Sequence, residues 1–338
     1  MEFNLEQICE ENKTIPSEKL GLDNTQHRTL VTKPNVDIYL EPTIFDEKRS
    51  YNFIKEISDF IFENSQEYNI DLDYNINTAS CDIFIDELKL GFKFITFFKY
   101  CEINTDKKNQ LKTYQEFTNA GYKVIQIFED TWFMKKEIIK SRILNLLNRS
   151  EKIFARKCVV KEIKDTKVIG DFIENNHSQG KIGSSVKLGL YYNDELVSAM
   201  TFGSFRKNMG QESMDGGYEL LRFCNKLNTN VIGGASKLFK YFKNNYNPKL
   251  IISYADKCWS SSNECLYKTL GLKYIHESDP SYFYIVGDTR KGRFGYRKDE
   301  LLKCGYDGTH WGEHTIMLTN KIYRIYDVGT CKYEWSED

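Results

Sequence analysis

The chain has 338 residues, 41% of them hydrophobic and 14% aromatic, with a net charge of −1; it has the apolar material for two cored domains, which excludes an intrinsically disordered chain or a uniform polyelectrolyte. No apolar run reaches the ~20 residues that a membrane span requires, and no segment has the charged-then-apolar build of a signal peptide, so a cytoplasmic protein with no membrane partner is expected. Nine cysteines without a Cys-x-x-Cys pair suit a reducing compartment better than a disulfide framework.

Residues 1–48 show little periodicity and read as an irregular extension. From Tyr51 to Glu67 the apolar residues Phe53, Ile54, Ile57, Phe60 and Ile61 make a helical stripe. Asp82–Ile85 and Leu88–Phe94 read as two strands. A tight turn at Asp86-Glu87 between them would set Asp82 opposite Gly91 and Ser80 opposite Lys93. A helix is expected from Lys107 to Asn119, a buried strand from Lys123 to Phe128 and an amphipathic helix from Lys135 to Asn148. In that last helix Lys135, Lys136, Lys140 and Arg142 fall mainly on the polar side. After a charged connector, a helix is expected from Val168 to Asn176. The strands Val186–Tyr192 and Leu196–Phe202 then meet at Asn193-Asp194, a hairpin signal.

The segment from Phe205 to Gly217 reads as a mobile polar loop. Tyr218–Cys224 is a strand that leads into the glycine turn Asn230-Val-Ile-Gly233-Gly234-Ala235-Ser236 and a helix from Lys237 to Asn245. A second buried strand, Leu250–Ala255, a helix ending at Leu272 and a strand at Ser281–Val286 follow, with one short strand, Ile322–Tyr326, expected in the tail. Backbone N–H groups at a glycine-rich helix start bind phosphates, so this turn is a candidate pyrophosphate cradle.

The near-zero net charge hides an asymmetry. After position 150 the chain carries 28 basic and 23 acidic residues, against 19 and 25 before it. The second half is therefore the expected face for nucleic acid. Arg290, Lys291, Arg293, Arg297 and Lys298 concentrate five cations within nine residues there. His310 and His314 have the spacing of a helical metal pair, but no nearby Cys, Asp or Glu completes the set of about four ligands that zinc needs.

The hairpin Gly189–Val197, the glycine turn and Leu266–Leu272 together resemble the GNAT acyltransferase superfamily, in which a Gln/Arg-x-x-Gly-x-Gly/Ala loop holds the pyrophosphate of acetyl-CoA. The resemblance implies that Asn230, Gly233, Gly234 and Ala235 bind acetyl-CoA or a related acyl donor, with Asn230 where the family has a longer Gln or Arg. A narrower likeness, to the Mom-type phage DNA-adenine modification family, runs through Asn176-His177-Ser178, Glu219–Arg222, Ser253–Asp256 and Tyr267. It implies that Arg222 orients a phosphate or base and that Asp256 acts as general base or metal ligand. His177 would assist, and Tyr267 would protonate a departing thiolate.

Cys81–Leu90, Leu111–Thr113, Val124–Trp132, Lys135–Ser141 and Phe154–Lys157 resemble the Hef-like free-standing homing endonucleases of phages. Their nuclease domain is related to the Vsr and EDxHD enzymes, and a GNAT-like domain follows it. The likeness spans roughly residues 65–335 and implies a Mg²⁺-dependent DNA endonuclease in a bacterial host cytoplasm, with Asp82 as the metal-binding and catalytic carboxylate. Ser80 and Lys93 stand where that family has acidic residues, and Tyr100 and Gln126 where it has histidines.

The expected fold class is thus α/β and α+β. A restriction-endonuclease-like, Vsr-type α/β domain (49–150) follows the extension; a GNAT-like α/β domain (151–302) and a tail (303–338) complete the chain. Three functions stay open: a DNA endonuclease, a GNAT- or Mom-like transferase acting on a nucleobase or amine, and a non-catalytic DNA-binding protein.

Overall fold

The computed structural model describes residues 38, 40–71, 82–205, 214–260, 265–306 and 312–337. Most of the expected extension, most of the expected loop at 205–217, Ser80 and His310 lie outside the described residues. The elements run in the order α1 (Glu47–Glu63), β1 (Ile70–Asp71), β2 (Ile83–Ile85), β3 (Leu90–Ile95), α2 (Phe97–Tyr100), α3 (Lys107–Asn119), β4 (Lys123–Phe128) and α4 (Glu129–Leu146). Then come β5 (Glu151–Phe154), β6 (Val159–Glu162), α5 (Thr166–Asn176), β7 (Val186–Tyr192), β8 (Glu195–Gly203), β9 (Gly217–Asn225), β10 (Thr229–Ile232), α6 (Gly234–Tyr246) and β11 (Leu250–Asp256). The chain closes with α7 (Leu266–Thr269), β12 (Lys273–Glu277), β13 (Tyr282–Val286), β14 (Thr289–Gly292), α8 (Lys298–Lys303), α9 (Glu313–Thr319), β15 (Tyr323–Tyr326) and β16 (Thr330–Ser336).

The fold is mixed α/β, and its chain divides into two units that it visits in turn. Residues 1–58, 70–130 and 280–328 form the first; 59–69, 131–279 and 329–338 form the second. This differs from the boundary expected at 150 and from a second domain running to 302. The cause is strand pairing: β13 pairs antiparallel with β15, Tyr282 facing Tyr326, so the strand expected to close the second domain belongs with the tail strand in the first unit.

In the first unit one sheet has the order β1-β2-β3-β4 and a smaller one the order β14-β13-β15. The smaller sheet packs Tyr284 and Val286 with Leu40, Leu301, Ile316, Met317 and Ile322. The end of the expected extension is built into this unit. Thr43 N–H donates to Lys321 O at 3.0 Å, Ile44 N–H to Gly287 O at 2.8 Å, and Thr43 Oγ1 to Ile285 O at 2.6 Å.

The second unit is a seven-stranded sheet of order β12-β16-β11-β9-β8-β7-β6. Asn193 and Asp194, both at positive φ (48° and 62°), turn β7 into β8 as the sequence pattern predicts. One face buries Leu188, Leu190, Met200, Phe202 and Leu220 against Leu238, Phe239 and Phe242 of α6, and the rings of Phe202 and Phe242 stack at 7°. The other face packs Ala199 and Cys224 against Ile169 and Ile173 of α5. Each fully buried apolar side chain contributes about 1.5–3 kcal/mol, so this helix–sheet–helix packing holds the sheet rigid around its centre. β16, inserted between β11 and β12, was not anticipated: the tail returns to the second unit after the excursion through 280–328.

Candidate functional site

Two neighbouring strands of the second unit part company. β9 and β11 run parallel but pair only through Gly217–Leu250, Tyr218–Ile251 and Glu219–Ile252. Beyond that point Ser253 fills the gap, its Oγ donating to Leu220 O at 2.9 Å. The residues on the diverging ends are those the sequence singles out: Arg222 on β9 and Asp256 at the end of β11.

Arg222 donates from Nε to Gly180 O and from NH1 to Leu221 O, both at 2.8 Å. Asp256 accepts Cys258 N–H on Oδ1 at 2.9 Å, while Gln179 Nε2 stands 3.5 Å from its Oδ2. His177 caps the C-terminus of α5, and its Nδ1 accepts Gln179 N–H at 3.1 Å. Burial, and then the charges of Arg222, Arg142 and Lys135, push its pKa down to about 3. The imidazole is therefore neutral at neutral pH, and with Nδ1 occupied its proton sits on Nε2. In that tautomer His177 offers a donor from Nε2.

Tyr267 stacks on Tyr333 at 19°, with 5.1 Å between ring centres, and shares a hydrogen bond with Ser253. Burial raises its pKa, so the phenol keeps its proton. Cys224, on β9, is pushed up to about 12 by burial and is no thiolate nucleophile. The structure thus gathers His177, Arg222, Asp256 and Tyr267 in one region of the second unit. It adds Arg142 and Trp259, which the sequence reading missed: the Arg142 guanidinium lies 4.0 Å from the centre of the Trp259 ring, and its NH1 donates to Ser178 Oγ at 3.2 Å. Arg142 was hidden in a lysine-rich helix face that reads as solvated.

The glycine turn is also in place. Gly233, at φ +77°, is the N-cap of α6, and no side chain caps that helix start. Only Ala155 Cβ, at 3.8 Å, would meet a Cβ on Gly233, but the positive φ itself disfavours an L side chain. The first-turn N–H groups of Gly234, Ala235 and Ser236 are the orphan donors of this helix. Just before them, Asn230 lies in β10, which pairs in parallel with β5, Asn230 opposite Lys152. Lys237 fixes the neighbouring turn by donating from Nζ to Ala155 O and Cys158 O at 2.9 and 2.6 Å. A helix start that no side chain caps fits a pyrophosphate, with Ser236 exposed and Gly234 and Ala235 buried behind it.

The surroundings of Asp82 in the first unit do not fit Mg²⁺. The pairing Ile83–Phe92, Phe84–Gly91 and Ile85–Leu90 sets Asp82 level with Lys93, not with Gly91. The expected two-residue turn is a 3₁₀ turn, Asp86–Leu88, closed by Lys89 at φ 47°, and the longer connection shifts the register by two. Asp82 accepts Phe94 N–H on its carboxylate. Lys93 is 5% exposed, its Nζ lies 5.3 Å from the centre of the Tyr100 ring, and Gln126 sits opposite it on β4. A buried ammonium at the register position level with the carboxylate opposes a divalent cation there. Among the described residues no group of three His, Cys, Asp or Glu side chains could hold a metal. His314 pairs its Nε2 with Glu102 Oε2 at 3.1 Å.

The basic run divides. Arg290 is half-buried and paired with Asp130 within the first unit. Lys291 and Lys298 are exposed. Arg293 lies 5.2 Å from the ring centre of Tyr282, and Arg297 lies 4.5 Å from that of Phe294, itself 50% exposed. Among the described residues no helix is long and apolar enough to cross a membrane.

No family model and no curated protein matches the chain. Among solved structures, an acetyltransferase of Bacillus subtilis in complex with CoA is similar at 12% identity and a TM-score of 0.33, covering 54% of this chain and 100% of its own. The ribosomal-protein-S18-alanine N-acetyltransferase of Escherichia coli is similar at 10% identity and a TM-score of 0.31, covering 54% of this chain and 96% of its own. A GNAT family acetyltransferase of Elizabethkingia anophelis with acetyl-CoA bound follows at 12% and 0.30, covering 54% of this chain and 99% of its own.

Proposed function

We propose that the second unit is a GNAT-type transferase that delivers an acyl group from a CoA thioester to an amine, a nucleobase amino group included. One observation carries this reading: β9 and β11 pair over only three residues and then diverge, and the diverging ends bear Arg222 and Asp256. Strands that part within a sheet make a slot lined by unpaired backbone, where a ligand can complete the ladder.

When bound, the donor supplies an activated thioester carbonyl. The chain's own residues supply the rest. Gly234, Ala235 and Ser236 present N–H groups to a pyrophosphate at the start of α6. Asp256, whose Oδ1 is tied to Cys258 N–H and whose Oδ2 accepts only the long 3.5 Å contact from Gln179 Nε2, has a lone pair on Oδ2 to take the proton that the amine must lose. Tyr267 holds its proton by burial and is the group suited to give one to a leaving thiolate. His177 donates from Nε2 and does not compete for the amine's proton.

Calorimetric titration of the full chain with acetyl-CoA tests the donor site, and mass spectrometry of nucleosides from expressing cells tests the acceptor. Saturable binding that is lost in Gly233→Val supports the reading. No binding together with an unmodified nucleoside profile would sink it.

The first unit supports a second role, DNA binding. The support is the exposed Phe294 flanked by the Arg297 and Arg293 guanidiniums, an arrangement in which bases stack and phosphates pair. A salt-independent or undetectable affinity for DNA would remove this role.

A further inference from the structure

The short parallel pair β5–β10 has two unlike faces. Ile153 and Val231, opposite each other in register, are buried in the core. Side chains alternate along a strand, so the flanking pairs Lys152–Asn230 and Phe154–Ile232 fall on the other face. That outer face carries one polar row and one apolar row, and Phe154 and Ile232 are 41% and 40% exposed. Gly233, the N-cap of α6, comes directly after Ile232, so the apolar row ends at the helix start.

A charged turn is tied to the same helix start. The 3₁₀ turn Ala155–Lys157 follows β5 directly. Lys237, in the first turn of α6, donates from Nζ to Ala155 O and Cys158 O, which anchors the turn at both ends. A Cβ on Gly233 would stand 3.8 Å from that of Ala155. Ala155 is buried, whereas Arg156 and Lys157 are exposed. The Arg156 guanidinium lies 5.1 Å from the centre of the Phe154 ring. Among the described residues neither Arg156 nor Lys157 enters an ion pair. A single exposed Phe needs no explanation. Here the ring has an exposed Ile beside it and two unneutralised cations next to it, at a helix start that no side chain caps.

We infer that Phe154, Arg156 and Lys157 seat the nucleotide end of the acyl donor, with its adenine on the Phe154 ring and its ribose 3′-phosphate on the two cations. This rests on the transferase reading for the donor's identity; the seat for a phosphorylated purine nucleoside rests on β5 and its turn. In CoA one ribose carries the adenine, the 3′-phosphate and, through its 5′ oxygen, the pyrophosphate. A donor whose pyrophosphate meets the N–H groups of Gly234–Ser236 therefore brings a base and a second anion to within one sugar of them. The chain holds an aromatic surface and free cations there. Stacking on an aromatic ring accepts any base; the guanidinium distinguishes the 3′-phosphate. The seat favours a thioester of CoA over the same thioester on a bare pantetheine arm, which offers neither base nor 3′-phosphate.

Calorimetry of the full chain with CoA, 3′-dephospho-CoA and adenosine 3′,5′-bisphosphate, at constant ionic strength, tests the seat. CoA and the bisphosphate should bind, and 3′-dephospho-CoA should bind about ten-fold more weakly than CoA, the loss of one charge-assisted contact. Phe154→Ala should weaken CoA and the bisphosphate by about ten-fold. Arg156→Gln combined with Lys157→Gln should bring CoA down to the affinity of 3′-dephospho-CoA and change 3′-dephospho-CoA far less, because charge and phosphate are the two sides of one contact. All three positions are exposed, so both variants should keep the wild-type circular dichroism. Equal wild-type affinity for CoA and 3′-dephospho-CoA, full CoA affinity in Phe154→Ala, or an equal loss for both ligands in the double variant would each overturn the seat. Acetyl-CoA binding that is lost in Gly233→Val but untouched by either variant would overturn the seat and keep the transferase. Bisphosphate binding that depends on Phe154, in a chain that does not bind acetyl-CoA, would keep the seat and remove the transferase.

Discussion

Arg290 clasps Asp130 inside the first unit. Its Nε donates to both carboxylate oxygens at 2.9 and 3.1 Å, its backbone N–H donates to Oδ2 at 3.0 Å, and its guanidinium lies 3.6 Å from the centre of the Phe128 ring. The pair is nearly closed to water, with side-chain exposures of 16% and 6%. Removing one partner of such a pair strands the other, so Arg290→Ala should lower the unfolding free energy by about 3–5 kcal/mol. Urea denaturation measures this; a loss under about 1 kcal/mol would show that the pair is solvated.

The neighbouring cations should behave in the opposite way. Changing Lys291, Arg293, Arg297 and Lys298 together to Ala should cost little stability and should flatten the dependence of DNA affinity on salt. Each lost phosphate contact reduces the slope of log affinity against log salt by about 0.9. Fluorescence anisotropy across a salt series reads it. The same slope in variant and wild type would place DNA elsewhere or nowhere on this chain.

His177 should make the protein sensitive to acid. Its folded pKa of about 3 lies below the ordinary 6.5, so the unfolded chain takes up a proton that the native state refuses. Its contribution is whole above pH 6.5 and is lost as pH falls from there toward 3, at about 1.4 kcal/mol per unit. His314, depressed to about 4, acts in the same direction, while Glu129, raised by burial to about 7, acts in the opposite one. The difference between wild type and His177→Gln isolates the first group. Unfolding curves for the two that stay parallel from neutral pH to about pH 5 would show that the imidazole is hydrated.

Lys93→Glu should fail as a repair of a metal site. It would bury a second carboxylate level with Asp82 where an ammonium now sits, and several kcal/mol of stability should go with it. Wild type should melt at the same temperature in EDTA, Mg²⁺ or Mn²⁺. A rise in wild-type melting temperature with either metal would contradict the account of the Asp82 region.

Gly233→Val should cost about 1–3 kcal/mol, because a β-branched residue is strained at φ +77°. Gly234→Ala meets a different obstacle: its Cβ would stand 3.0 Å from Val231 Cγ1 and 3.3 Å from Leu190 Cδ1. Differential scanning calorimetry of the two should rank Gly233→Val as the more damaging. The reverse order would mean that the turn relaxes.

Much of the second unit was legible because its signals are local. Asn193-Asp194 marks a hairpin wherever it falls, and the strand–glycine turn–helix order around Gly233 needs no distant partner to be seen. Asp82 was found but misplaced by two residues of register, since Lys89 gives no sign that it will adopt positive φ and lengthen the turn. Arg142 and Trp259 could not be read, because residues 117 apart in sequence carry no mark of meeting. Arg290 looked like its neighbours in the basic run; only the fold supplies Asp130 to separate it from them.

The interleaving of the two units dictates the timetable of synthesis. A ribosome that has released 130 residues has not yet made 280–328, which holds the whole of the smaller sheet of that unit. The seven-stranded sheet in turn waits for residues 330–336, which separate β11 from β12. Neither body can be completed before residues 323–336, which supply β15 and β16, have emerged. A nascent chain stalled earlier should therefore be open to proteases along its length, and cutting the gene at any single point should yield two fragments of which at least one is missing a strand.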